Sequence, residues 1–177
     1  MMPFRRLGWI GFLLIVSVGL LGAADQGAPP PPAAGPQEVS VVGLLVDEQT
    51  QQPTIVLQGK RDKRAFAMVI GTAEATGIAF PLQKLTPPRP LTHDLFLTLF
   101  GRLNVTITKA VITDLRDNTY YATLFLSANG TALELDSRPS DAIALAIRAK
   151  APLFAEDRVF DKTERLPSGS SGSGSRI

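Results

Sequence analysis

The chain has 177 residues, of which 45% are apolar and 19% charged, so it can form one domain with a substantial core. It has no cysteine and one histidine, His93, which excludes disulfides, thiolate metal sites and sites that need two imidazoles. The formal net charge is +2, but basic and acidic residues are equal in number between Glu38 and Lys162, so the body of the chain has no net positive charge with which to hold a polyanion.

The first 24 residues have the pattern of a signal peptide or an N-terminal anchor. Arg5 and Arg6 precede an uncharged apolar stretch, 7–24, that ends in small residues suited to cleavage. This stretch is marginal in length for a membrane span, which favours cleavage over a retained anchor. The pattern predicts export to the periplasm, the medium or the outer side of the cytoplasmic membrane, with membrane contact only through this segment.

Two further segments are predicted to lie outside the fold. Residues 25–37 are rich in proline and predict a spacer with polyproline II character. Residues 164–177 end in a Gly/Ser-rich tail that has nothing to bury. The remaining segment, 38–163, is predicted to be one compact domain.

The first half of this domain contains strand-like runs and two helix starts. β-branched runs predict strands at 39–46, 54–57 and 66–70. Thr72 is the predicted N-cap of a first helix that Pro81 disturbs or ends. After a proline-rich loop, Thr92 is the predicted N-cap of a second helix, with Asp94 near the positive end of its dipole.

The second half predicts a three-stranded meander followed by a buried helix. The strands are expected at 105–115, 119–127 and 131–135, and Asn129-Gly130 is a strong type I′ hairpin signal. The last main helix starts near Pro139, and its apolar run 142–147 predicts burial. Because strands and helices come in blocks, the predicted fold class is α+β, with about three helices on a mainly antiparallel or mixed sheet.

Two loops that run into helix N-termini, 89–95 and 136–142, each combine an arginine, a hydroxyl and a carboxylate. A helix N-terminus favours phosphate binding, and carboxylate oxygens suit Mg²⁺ or Mn²⁺. If the loops converge, they form a phosphodiesterase site. The candidate residues are Asp94, Asp136 and Asp141 as metal ligands and catalytic groups, His93 as a catalytic acid or base, and Arg89, Arg138 and Ser140 as substrate-binding groups.

Structural interpretations of the same residues remain open. Asp94 and Asp141 also stand where carboxylates commonly interact with a helix dipole, and His93 also fits a solvated helix start. Arg138 also fits a simple pair with a neighbouring carboxylate. Glu74, in the first turn of the first helix, is interpreted as a capping residue.

Four multi-residue motifs lie along the domain, and two of them contain these two loops. They are IGTAEA at 70–75, PRPLTHDL at 88–95, VITDL at 111–115 and DSRPSDAIAL at 136–145. In this order, over about 39–160, they resemble the signature of the bifunctional nuclease family. The resemblance implies a compact α+β domain that cleaves both DNA and RNA.

Two functions follow from these observations. The favoured one is a nuclease that hydrolyses phosphodiester bonds of DNA and RNA with a divalent metal, Mg²⁺ or Mn²⁺. The alternative is a non-catalytic binding or assembly module exported to the cell envelope, which the neutral domain and the proline-rich spacer also suit. A homo-oligomer is compatible with both.

Overall fold

The computed structural model describes residues 35–163 and the backbone of residues 175–176. The predicted signal segment, 1–24, lies outside these residues, as do most of the spacer and of the tail. Within the described part of the chain, no helix combines the length and apolar character needed to cross a membrane.

The described elements confirm the α+β class. The strands are β1 (Gln37–Val46), β2 (Pro53–Gly59), β3 (Ala65–Val69), β4 (Val105–Arg116), β5 (Thr119–Ala128), β6 (Thr131–Ser137), β7 (Leu153–Ala155) and the two-residue β8 (Ser175–Arg176). The helices are α1 (Thr72–Leu82), α2 (Thr92–Arg102), α3 (Pro139–Ala149) and α4 (Asp157–Lys162). The sequence analysis did not predict β7 and α4, because three and six residues are too few to show a periodic pattern.

Seven strands form one sheet in the order β3-β2-β1-β7-β4-β5-β6, and β8 pairs with β1. All pairs are antiparallel except β4 with β7, so the mainly antiparallel sheet is confirmed. The turns of the meander are formed by Asp117-Asn118 and Asn129-Gly130, where all four residues have positive φ. This is the backbone conformation that a type I′ hairpin requires.

The sheet curls so that two strands far apart in the strand order approach each other. The Tyr120 hydroxyl on β5 donates a hydrogen bond to the Ala67 carbonyl on β3, at 3.0 Å. Beside it, the Phe66 ring lies 6.0 Å from the Tyr120 ring and 5.0 Å from the Phe160 ring on α4. Among the described residues, the buried apolar side chains lie between Val39 and Phe160. This part of the chain therefore has a hydrophobic core of its own, as a domain requires.

Helix α3 is the central helix of this core, as its apolar run predicts. Residues 142–146 are all buried, and α3 packs against α1, α2, β4 and β5. Three of these five residues are alanine, which lets the neighbouring elements approach the helix closely. This packing places the N-terminus of α3 beside those of α1 and α2.

Two predicted helix caps are displaced by one residue. Thr72 and Thr92 are the first helical residues of α1 and α2, and the N-caps are Gly71 and Leu91, without a side-chain cap. At α2, the Asp94 carboxylate instead accepts a hydrogen bond from the Leu91 amide, at 2.8 Å. A carboxylate at the third helical position thus satisfies the amide of the N-cap residue, which is one half of a capping box.

Candidate functional site

The N-termini of α1, α2 and α3 meet at one place on the surface. Arg138, the N-cap of α3, donates from Nε to Asp141 Oδ2 and from Nη1 to Glu74 Oε1, each at 2.8 Å. His93 Nε2 lies 3.3 Å from Asp141 Oδ1. We call these four residues the three-helix site, because the first turns or caps of three helices supply them. The two loops singled out in the sequence therefore do converge.

Arg138 is the most exposed member of the three-helix site. Its side chain is 65% exposed. The hydrogen bonds to Asp141 and Glu74 use Nε, Nη1 and Nη2 once each. A guanidinium has five N–H donors, so two remain to bind an incoming group. The hydrogen bonds to Asp141 also raise the pKa of Arg138, so the guanidinium keeps its positive charge at all usual pH values.

Two open clefts lie on either side of the Arg138–Glu74 ion pair. One has a volume of about 360 Å³ and is also lined by Gly77, Leu91, Thr92, His93 and Asp141. The other has a volume of about 410 Å³ and is also lined by Met68, Val69, Ile70, Asn118, Tyr120 and Ser140. Arg138 and Glu74 line both clefts, so this ion pair forms the boundary between them.

The position of the His93 ring depends on a glycine in α1. A Cβ atom added at Gly77 would lie 2.8 Å from Cε1 and 3.0 Å from Nδ1 of that ring, closer than a side chain there can approach. The imidazole is thus held between α1 and Asp141, and it is only 12% exposed. Burial by itself would raise the pKa of Asp141, but hydrogen bonds from Arg138 and His93 outweigh it and lower that pKa.

A second ion pair holds the three helices together behind the site. The Arg148 side chain of α3 is only 8% exposed, and its Nε donates to Asp94 Oδ1 of α2 at 2.8 Å. Its Nη1 donates to the carbonyl oxygens of Gly77 in α1 and of Ala144. Burial acts to raise the pKa of Asp94, but the bonds from Arg148 and from the Leu91 amide lower it overall.

Some of the predicted site residues lie elsewhere. Arg89 is exposed in the loop before α2 and does not line either cleft. Asp94 is engaged by Arg148 and by its own helix cap. Asp136 is exposed on β6. His93, Arg138, Ser140 and Asp141 do line the clefts.

Strand geometry explains why Asp136 does not join Asp141. Leu135 pairs with the buried Leu124 of β5, and Asp136 pairs with Thr123. Successive side chains of a strand point to opposite faces, so Asp136 faces away from the core side that carries α3. In residues 35–163, no three carboxylate or imidazole side chains lie close enough together to hold a metal ion. The structure therefore does not bring together the three carboxylates that the sequence analysis grouped.

A family model described as the bifunctional nuclease domain matches residues 55–167, which include the whole three-helix site. The chain belongs to this family. An uncharacterized protein of Mycobacterium tuberculosis is 38% identical over 123 residues, which are 70% of this chain and 73% of that protein. Bifunctional nuclease 1 of Oryza sativa is 30% identical over 81 residues, which are 44% of this chain and 24% of the rice protein.

The sequence analysis of this bifunctional nuclease domain missed two roles. Glu74 was interpreted as a capping residue, but it is bonded across helices to Arg138. Arg148 was not considered, although it stands seven residues after Asp141. Seven residues are about two turns, so both side chains share one face of α3. The spacing between Asp141 and Arg148 could therefore have indicated Arg148 as a site residue. The partners of Glu74 and Arg148 could not be predicted, because they depend on the packing of three helices.

The lowered pKa values of Asp94 and Asp141 predict sensitivity to acid. Their pKa in the unfolded chain is about 3.9, so at low pH the unfolded state binds more protons than the native state. The stability that these carboxylates contribute is present at neutral pH and is lost as the pH falls from about 5 through the folded-state values. We expect urea unfolding at a series of pH values to show this decline, with a shallower slope for Asp141→Asn. An unchanged slope in that variant would contradict the assignment.

Proposed function

We propose that this domain is a nuclease that hydrolyses phosphodiester bonds of DNA and RNA, and that Arg138 binds the scissile phosphate. Membership of the bifunctional nuclease domain family supports the activity. The phosphate-binding site is proposed at Arg138 because its exposed guanidinium lies where three helix N-termini meet and has two N–H donors that the bonds to Asp141 and Glu74 do not use. Charge-assisted hydrogen bonds and helix dipoles both favour a bound phosphate there.

The two clefts suggest how a polynucleotide would lie across the site. Each has a volume within the range of small-ligand pockets, which begins at about 300 Å³. A phosphate at Arg138 would have one nucleoside in the cleft of His93 and the other in the cleft of Tyr120. Contacts to phosphate carry no sequence information, and the proposed anchor does not touch the 2′ position. Such a site accepts both DNA and RNA.

The proposed chemistry uses His93 as a general base. The imidazole takes a proton from a water molecule while the water oxygen forms a bond to phosphorus. The bond from phosphorus to one ester oxygen then breaks, and that oxygen takes a proton from solvent water, while the imidazolium releases its proton to solvent and returns to the neutral form. Asp141 orients the ring through its contact with Nε2, and Arg138 stabilises the charge that develops on the phosphate oxygens.

A requirement for Mg²⁺ or Mn²⁺ remains part of the proposal. The predicted ligands Asp94, Asp136 and Asp141 do not form a three-carboxylate site in the described part of the chain. Activity with Mg²⁺, with Mn²⁺ and with a chelator decides whether an ion takes part.

The test is an assay of residues 25–177, which contain every core residue of the described part of the chain, with single-stranded DNA, double-stranded DNA and RNA. Each substrate is incubated with Mg²⁺, with Mn²⁺ or with a chelator. We expect cleavage of both DNA and RNA, inhibition by the chelator, and a loss of about 100-fold or more in Asp141→Asn. Asp136→Asn is the matched comparison, and a loss there as large as in Asp141→Asn would extend the site to β6. Folded protein that cleaves nothing under any of these conditions would contradict the proposal.

A second candidate function is the exported binding or assembly module. The observation that favours it is the set of exposed apolar side chains that α2 presents to solvent. Export is proposed from the pattern of residues 1–24 alone.

A further inference from the structure

Helix α2 presents apolar side chains to solvent. Leu95, Phe96 and Leu99 of α2 and its C-cap residue Leu103 are between 46% and 58% exposed, and no residue of α2 is buried. A helix on the surface of a globular protein normally turns such a stripe toward the core. Here the core side of α2 is supplied by the half-buried Leu97 and Phe100, so the exposed stripe is a second apolar face.

The edge strand β6 presents a matching apolar face. Leu133 and Leu135 are 46% and 44% exposed. They pair with Leu126 and Leu124 of β5, which are buried in the core. The two β6 leucines therefore face the core side of the sheet, but β6 is the last strand in the order and nothing in the described chain covers them fully.

The two faces are tied together by the chain. The Asn129 amide in the turn before β6 donates to the carbonyl of Asn104, which follows α2 closely, at 3.4 Å. We call the six exposed residues on α2 and β6 the α2–β6 surface. They are six of the eleven large apolar side chains that are exposed in the described part of the chain. More than half of the large exposed apolar side chains of the described chain thus lie on or next to two elements, α2 and β6, that meet at one end.

We propose that a second copy of this chain binds to the α2–β6 surface and forms a two-fold symmetric dimer. Six side chains that are each about half exposed present on the order of 500 Å² of apolar area, at the upper end of what a monomer usually exposes. Two such surfaces bury on the order of 1,000 Å², which is the size that a specific interface needs.

A second copy fits this surface better than an unrelated partner for two reasons. In a two-fold dimer both copies use the same surface. The α2 stripe of each copy therefore contacts the β6 leucines of the other, and both apolar faces are covered at once. In addition, no strand of the described part of the chain pairs with the outer backbone edge of β6, and an identical strand can shield that edge from other pairing. The inference does not depend on the proposed nuclease activity.

The test is the mass of residues 25–177 by sedimentation equilibrium over a wide range of protein concentration. We expect twice the monomer mass for the unmodified chain and the monomer mass for Leu99→Glu and for Leu133→Glu. Each of these changes buries a charge in the interface and should raise the dissociation constant at least about 100-fold. The control is Val42→Glu, which changes a 50% exposed apolar residue on β1 and should leave the dimer intact.

Three results would overturn the proposal. The first is an unmodified chain that is monomeric at every concentration. The second is a dimer that persists in both Leu99→Glu and Leu133→Glu with unchanged affinity. The third is a monomeric full-length chain when residues 25–177 dimerise, which would assign the surface to residues 1–24 instead. Circular dichroism of each variant verifies that it is folded.

Discussion

Replacement of Arg138 by alanine is expected to lower the rate of phosphodiester cleavage by about 100-fold or more, because it removes a charged donor from the developing phosphate charge. The side chain is 65% exposed and its ion pairs lie at the surface, so the free energy of unfolding should change by no more than about 1 kcal/mol. The measurements are steady-state kinetics and urea unfolding of the same preparations.

Arg138→Lys and Arg102→Ala sharpen this prediction. Lysine keeps the charge but cannot hold Asp141 and Glu74 with a planar fork and still present two donors, so cleavage should recover only in part. Arg102 is an exposed arginine at the opposite end of α2, about 13 Å along the helix from His93, and its loss should leave cleavage unchanged. Cleavage by Arg138→Ala at the rate of the unmodified domain would exclude Arg138 from the site.

Replacement of Arg148 by methionine is expected to destabilise the domain by about 3 kcal/mol, the low end of the cost of breaking a buried ion pair, because Arg148 is buried but Asp94 is 33% exposed. Methionine keeps the aliphatic part of the side chain but leaves Asp94 without its cation and the Gly77 carbonyl without its donor. The free energy of unfolding in urea measures this effect. Cleavage should also fall, because Arg148 sets the positions of α1, α2 and α3 that build the three-helix site.

A double-mutant cycle with Asp94→Asn separates the ion pair from the other contacts of Arg148. If the pair accounts for most of the loss, Arg148→Met in the Asp94→Asn background should cost much less than in the unmodified domain. Arg102→Met, the same change at an exposed position, should cost less than about 0.5 kcal/mol. A loss of under 1 kcal/mol for Arg148→Met would show that this arginine does not hold the helices together.

The sequence determines most of the secondary structure of this protein, because the relevant signals are local. A type I′ turn needs positive φ at two adjacent residues, and Asn129-Gly130 meets that need without any other part of the chain. The apolar run 142–147 likewise predicts a buried helix, which α3 is. The two predicted caps, Thr72 and Thr92, lie one residue inside their helices, because Gly71 and Leu91 have the extended backbone conformation of an N-cap.

The contacts between charged residues depend on the tertiary structure. Asp136 and Asp141 are close in sequence, but strand alternation turns Asp136 to the other face of the sheet. Glu74 is 64 residues from Arg138 in sequence, and it reaches that guanidinium because α1 and α3 pack together. The sequence by itself thus determines the elements and the loops that hold the chemistry, since steric preferences act over a few residues. The sheet and the packing of three helices select the partners, since contacts between distant segments form only when the whole domain folds.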